Sequence, residues 1–167
     1  AGIGLDVSNI RAEGAPIRGG NAYHTGVIPY YRLFQNAVKS CSQGGVRGGS
    51  ATTFYPMWHL EWEDLIVLKN NKGTEFNRVR HMDYGVQLNG FLLRRLIDNG
   101  NITLFSPDQV PDLYEAFFKD QELFAKLYVK YENSTKIRKK TISALEMFTQ
   151  LINERTETGR IYVMFVD

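Results

Sequence analysis

The sequence predicts an α/β protein with a largely parallel sheet, on three observations. Short apolar runs rich in β-branched and aromatic residues alternate with helical segments along the chain. The strand runs are apolar nearly throughout, as strands covered on both faces are. The helical segments keep apolar residues three or four positions apart.

In order, Gly2-Ile3-Gly4-Leu5-Asp6-Val7 reads as a buried strand, followed by a loop over residues 8–20. A helix is expected over residues 25–40, with Thr25 as N-cap and Pro29 tolerated in its first turn. Its apolar stripe is Val27, Tyr31, Phe34, Val38 and Cys41. A second loop, residues 41–50, carries two glycine pairs. Thr52-Thr53-Phe54-Tyr55 is a short strand closed by Pro56, and residues 61–70 read as a helix. Residues 82–88 form a strand, 91–97 a short helix and 102–105 another strand, ended by the turn Ser106-Pro107-Asp108. Residues 111–131 are helical with a break near Asp120. A longer amphipathic helix is expected through Ile137, Ile142, Leu145, Phe148 and Ile152, with Gly159 as its C-cap. Residues 161–167 read as a final buried strand. Two apolar strands at the termini lead us to expect that more protein continues beyond both; the alternative is that they pair with each other.

Composition bounds the function classes. The 167 residues suit one domain or part of one, with 43% hydrophobic and 23% charged residues. No apolar run approaches the ~20 residues of a membrane span, and the first residues do not read as a basic, apolar, small-residue stretch of the secretory type. A net charge of +2 gives no reason to expect a nucleic-acid binder. The single cysteine, Cys41, forms no disulfide within the chain, which fits a reducing cytoplasm.

Charge and glycine are both concentrated at the front. Residues 1–50 hold five basic side chains against two acidic ones, and ten of the fifteen glycines. Gly44-Gly45 and Gly48-Gly49 flank Val46-Arg47, so a ligand could lie on bare backbone while Arg47 stacks on a base or pairs with a phosphate. This is not a P-loop: the Gly-Lys-Ser/Thr ending is missing and the loop follows a helix. Arg11 and Arg18, seven residues apart around Gly14 and Pro16, suit a di- or triphosphate; solvated surface arginines are the plainer alternative. His24, His59 and His81 lack metal-ligand spacing and read as helix-start or core residues. Glu61, Glu63 and Asp64 fit the first turn of their own helix. Arg138-Lys139-Lys140 reads as a solvated helix face, Tyr30-Tyr31 and Phe117-Phe118 as core, and Cys41 as a buried cysteine at a helix end.

The run Lys39-Ser40-Cys41-Ser42-Gln43-Gly44-Gly45-Val46-Arg47-Gly48-Gly49 resembles the second specificity loop of the large, catalytic subunit of class I ribonucleotide reductases. Similar runs follow the same family's order: Ala1-Gly2-Ile3-Gly4, Pro16-Ile17-Arg18-Gly19-Gly20, Phe54-Tyr55-Pro56-Met57-Trp58-His59, Leu68-Lys69-Asn70-Asn71, Asn77-Arg78-Val79-Arg80-His81-Met82-Asp83-Tyr84, Leu104-Phe105-Ser106-Pro107 and Thr158-Gly159-Arg160-Ile161-Tyr162. The resemblance implies about half of a ten-stranded α/β barrel, truncated at both ends, with the specificity loops at about 8–20 and 41–50.

It also implies roles. The family reduces ribonucleoside diphosphates to deoxyribonucleotides by radical chemistry begun in a separate metal-containing small subunit, with thioredoxin or glutaredoxin returning electrons. The radical cysteine and the reducing pair match no position here, so no catalytic residue and no cofactor is expected in this chain. Arg11, Arg18, Cys41, Ser42 and Gln43 match positions that bind the nucleoside triphosphate effector, ATP or a dNTP. Ala1, Gly2, Arg47 and Gly48 match substrate contacts, and residues 25–40 match a helix of the homodimer interface. The implied partners are the small subunit and the rest of the large subunit, in the cytoplasm, with neither membrane nor nucleic acid. The rival readings are a stand-alone nucleotide-binding or assembly module without catalysis, and a glycyl-radical or adenosylcobalamin relative with the same barrel.

Overall fold

A computed structural model describes residues 2–167, apart from the side chain of Gln43. Strand β1 (Gly2–Asp6) leads into a loop containing the small hairpin β2 (Pro16–Ile17) and β3 (Ala22–Tyr23), then helix α1 (Ile28–Ser40). A second hairpin, β4 (Ser42–Gln43) and β5 (Arg47–Gly48), precedes strand β6 (Ser50–Pro56). The chain continues through α2 (Trp62–Leu65), β7 (Asp83–Leu88), α3 (Gly90–Ile97), β8 (Asn101–Phe105), α4 (Pro111–Lys119), α5 (Gln121–Glu132), β9 (Lys139–Ser143), α6 (Ala144–Thr158) and β10 (Ile161–Phe165).

The expected α/β architecture is present. Among the described residues, β1, β6, β7 and β10 form one sheet in the order β1-β6-β7-β10, every pairing parallel. Gly2 lies opposite Ser50, Thr52 opposite Asp83, and Ile161 opposite Tyr84. The parallel β1–α1–β6 crossover makes α1 run antiparallel to the strands it covers. Tyr31 of α1 stacks on Tyr84 at 5.9 Å between ring centroids, and Tyr84 meets Tyr55 at 6.5 Å. All three are fully buried, each side chain worth roughly 1.5–3 kcal/mol of transfer free energy. On the other face a ring crosses bare backbone. A Cβ on Gly85 would stand 2.3 Å from Cδ1 of Phe54, so glycine is what lets that ring lie over β7.

Several expectations need correction. β1 and β10 are strands, but not buried ones: they are the two edges of the sheet, and only Ile161 of β10 is fully buried. The helix over 61–70 shrinks to Trp62–Leu65 followed by turns. The long helix expected from Ile137 begins only at Ala144. Lys139–Ser143 is instead strand β9, paired antiparallel with β8 outside the main sheet. The sequence carried that signal, because Ser143-Ala144-Leu145-Glu146 is a capping box and Ser143 accepts from the Glu146 N–H. Arg138, Lys139 and Lys140 therefore form no helix face. Lys139 Nζ caps carbonyls at the end of α5, Tyr131, Glu132 and Ser134, and Lys140 pairs with Glu63. The break at Asp120 is real: Asp120 caps α5 by accepting from the Leu123 N–H at 3.0 Å. Gly159 closes α6 in the left-handed conformation, φ 64°. Phe117 and Tyr31 are core as expected, whereas Tyr30 is exposed and stacks on His24.

Candidate functional site

The second glycine loop is a hairpin anchored at its base and free at its tip. Ser42 pairs with Gly48 and Gln43 with Arg47. Gly44 and Gly45 both take positive φ, 59° and 71°, which L side chains rarely adopt. A Cβ at Gly44, Gly45 or Gly48 would meet nothing within 4 Å. The base is different: the Gly49 N–H donates to the Cys41 carbonyl at 2.9 Å, and a Cβ there would lie 2.3 Å from the Val38 carbonyl oxygen. The hairpin is thus sewn to the last turn of α1 while Val46 and Arg47 stand in solvent. Cys41 is exposed rather than buried, because the chain turns extended there (ψ 124°) and leaves the helical stripe that buries Val38.

The start of β1 adjoins this hairpin. Gly2 lies beside Ser50, where a Cβ would stand 3.1 Å from Ser50 Oγ. Gly2, Ser50, Thr52, Phe54 and Asp83 line a pocket of about 280 Å³ on the face of the sheet away from α1. Of the expected substrate contacts, Gly2 pairs with Ser50, two residues along the chain from Gly48, while Arg47 and Gly48 stand on the hairpin strand that leads into β6. Ala1 lies outside the described residues, as does the side chain of Gln43, while Ser42 is exposed on the hairpin.

The first loop lies at the opposite end of β1. Arg11 and Arg18 are both exposed, and neither joins an ion pair among the described residues. Arg11 Nη1 donates to the Pro16 carbonyl at 3.3 Å. Arg18 holds φ 50°, a conformation that costs a non-glycine residue of order 1–3 kcal/mol. The 13 residues of α1 separate this loop from the second by about 20 Å. Within one chain the structure does not bring Arg11 and the second hairpin together.

Sequence reasoning missed two residues that hold the first loop. Glu61 was read as an acid of its own helix. Its Oε2 instead accepts the Val27 N–H at 2.9 Å, capping α1 where Thr25 was expected to. Burial pushes the Glu61 carboxyl up to about 7, against the pull of the Val27 and Glu13 N–H groups; Asp64 and Glu13 nearby push the same way as burial. His59 is buried, with Nε2 2.9 Å from the Ile10 carbonyl oxygen, and burial lowers its pKa to about 4. No local sequence signal marks either contact, since the partners lie 34 and 49 residues away. Among the described residues, no three His, Cys, Asp or Glu side chains are grouped to hold a metal ion. Among the described residues, no helix is long and apolar enough to cross a membrane.

Comparison with known proteins gives a consistent picture. The chain matches the family described as "Ribonucleotide reductase, barrel domain" over residues 1–167. It is 64% identical over 167 residues to ribonucleoside-diphosphate reductase 1 subunit alpha of Salmonella typhimurium, covering 100% of this chain and 22% of that protein. It is 58% identical over 168 residues to the corresponding subunit alpha of Enterobacteria phage T4, with the same two coverages. Against the ribonucleoside-diphosphate reductase large subunit of Arabidopsis thaliana it is 34% identical over 167 residues, covering 99% of the chain and 20% of that protein. The chain thus spans about 22% of the length of its bacterial and phage relatives.

Proposed function

The chain belongs to the ribonucleotide reductase barrel-domain family, and from that membership we propose that it supplies the specificity and substrate-positioning segment of a ribonucleoside-diphosphate reductase large subunit. In this reading Arg11 and Arg18 grip the phosphates of an ATP or dNTP effector, and Cys41, Ser42 and Gln43 face its base. Arg47, Gly48, Ala1 and Gly2 face the ribonucleoside diphosphate. The radical cysteine and the reducing pair lie elsewhere in the large subunit, and a separate metal-containing small subunit supplies the radical. Thioredoxin or glutaredoxin re-reduces the whole enzyme, and the cytoplasm is its compartment.

The observation that carries the reading is the hairpin, fixed at Gly49, paired at Ser42–Gly48 and Gln43–Arg47, and open at its tip from Gly44 to Val46. Such a segment has several backbone states of similar energy. A base bound on one side selects among them and changes which groups face the substrate on the other. An effector shifts that balance only by binding the states differently. The separation of the two loops along α1 supports a homodimer through residues 25–40. Two such helices packed antiparallel would bring the first loop of one copy to the hairpin of the other. Leu33 and Tyr30, both exposed on α1, suit that contact.

In the complete large subunit, Arg11→Ala should weaken effector binding, while Arg47→Ala should damage turnover or substrate choice at saturating effector. One lost charge-assisted contact is worth roughly 1.5–3 kcal/mol, about 10- to 150-fold. If Arg47→Ala abolished effector binding and left saturated turnover intact, the two roles would be wrongly assigned. The isolated chain should form no deoxynucleotide with any effector or small subunit. Activity restored on mixing it with the remainder of the large subunit would favour this reading over a stand-alone module.

A further inference from the structure

Resting on the reading of the first loop as the effector's phosphate grip, we propose that His59, Ser106 and Tyr114 are positioning residues for it: they fix the backbone of residues 8–12, and so the direction in which Arg11 presents its guanidinium to a polyphosphate. Three side chains, each 49 or more residues along the chain from its partner, converge on five consecutive residues. The Tyr114 hydroxyl lies 2.9 Å from Ser8 Oγ, His59 Nε2 lies 2.9 Å from the Ile10 carbonyl oxygen, and Ser106 Oγ accepts the Ala12 N–H at 3.0 Å. The held residues alternate with free ones. Ser8 and Ala12 are buried and Ile10 half-buried, whereas Asn9, Arg11 and Glu13 are exposed. Residues 8–10 form a turn, closed by the Ile10 N–H on the Val7 carbonyl at 3.2 Å, and holding that turn and Ala12 in place leaves the Arg11 side chain on the exposed side.

The proton positions follow from the partners. Ser8 Oγ donates to Asp6 Oδ1, which leaves its lone pairs to meet the Tyr114 hydroxyl. His59 Nδ1 accepts the Glu61 N–H at 3.1 Å, which leaves the ring proton on Nε2 to be donated to Ile10. Burial keeps that ring neutral by holding its pKa near 4. Ser106 Oγ donates to Asp108 Oδ1 and so has its lone pairs free for Ala12. Two of the three contacts hold backbone atoms, the Ile10 carbonyl and the Ala12 N–H, and the third holds the side chain of Ser8. Without them, Arg11 would sample several directions and bind phosphate at the cost of ordering itself.

The measurement is dTTP affinity of the complete large subunit, by calorimetry, for Tyr114→Phe, Ser106→Ala, His59→Leu and His59→Gln, each alone and with Arg11→Ala. Tyr114→Phe keeps the ring and removes only the hydroxyl. It and Ser106→Ala should each weaken dTTP binding about 2- to 12-fold, the worth of one hydrogen bond. His59→Gln, whose amide can donate from nearly the same place as Nε2, should recover most of what His59→Leu loses. Combined with Arg11→Ala, none should cause further loss, because the effect runs through that arginine. Wild-type affinity in Tyr114→Phe and Ser106→Ala would overturn the proposal, as would losses that simply add to that of Arg11→Ala. Should His59→Leu fail to fold, the Tyr114→Phe cycle decides alone. An Arg11→Ala subunit that binds dTTP normally would instead sink the loop assignment itself, and this proposal with it.

Discussion

His59 and Glu61 sit two residues apart, and burial displaces their titrations in opposite senses. The folded state raises Glu61 from 4.5 to about 7, so between those values the native chain holds a proton that the unfolded chain has released. Stability from this group is therefore full below about 4.5 and falls as pH rises toward 7. The folded state lowers His59 from 6.5 to about 4, so its contribution is present above 6.5 and is lost as pH falls toward 4. The two windows overlap, and the slopes largely cancel in the parent chain. Glu61→Gln keeps an acceptor for the Val27 N–H and should gain stability relative to the parent as pH rises from 4.5 to 7. His59→Gln should gain relative to the parent as pH falls from 6.5 to 4. The limiting slope is about 1.4 kcal/mol per pH unit for one proton, and the residual solvent contact of Glu61 holds its own slope below that. Urea midpoints across this range would test both, and parallel pH profiles for the parent and both variants would contradict the assignment. Neither role was legible in the sequence. A carboxylate at a helix start has a sufficient local explanation, and only the fold shows that it caps a different helix.

The second hairpin, by contrast, was legible as an element, because paired glycines around one arginine have few other uses. What the sequence left open was which glycine matters for what. Gly49→Ala places a Cβ 2.3 Å from the Val38 carbonyl oxygen, which forces the hairpin base off α1, whereas the Gly48 position is open. Gly49→Ala should destabilise the chain by about 1–3 kcal/mol, as overpacking does, and Gly48→Ala by less than about 0.5 kcal/mol. Equal urea midpoints for the two variants would mean that the base is not anchored as described. The helix misread over Ile137–Ser143 has a physical origin. Ile137, Ile142 and Leu145 carry a spacing compatible with a helix, but a strand was available at β8 to pair with, and cross-strand partners outweigh local propensity.

Across the whole molecule, the sheet has two exposed edges. Along β10, Tyr162, Val163, Met164 and Phe165 are 36–61% exposed, with backbone groups free on one side. The purified chain should therefore self-associate, with a sedimentation coefficient that rises with concentration, and Val163→Lys should shift the equilibrium toward monomer. A chain that stays monomeric at high concentration would contradict the half-barrel reading. The sequence by itself determined the α/β class, most element positions, the two glycine loops and the family resemblance. All of these rest on short-range information: hydrophobic period, glycine placement and contiguous motifs. Tertiary structure alone decided that β1 and β10 are edges, that β9 leaves the helical pattern to pair with β8 and that Glu61 caps α1. Those features depend on which distant segments meet, and a buried polar group finds its hydrogen-bonding partner in space, wherever along the chain that partner happens to lie.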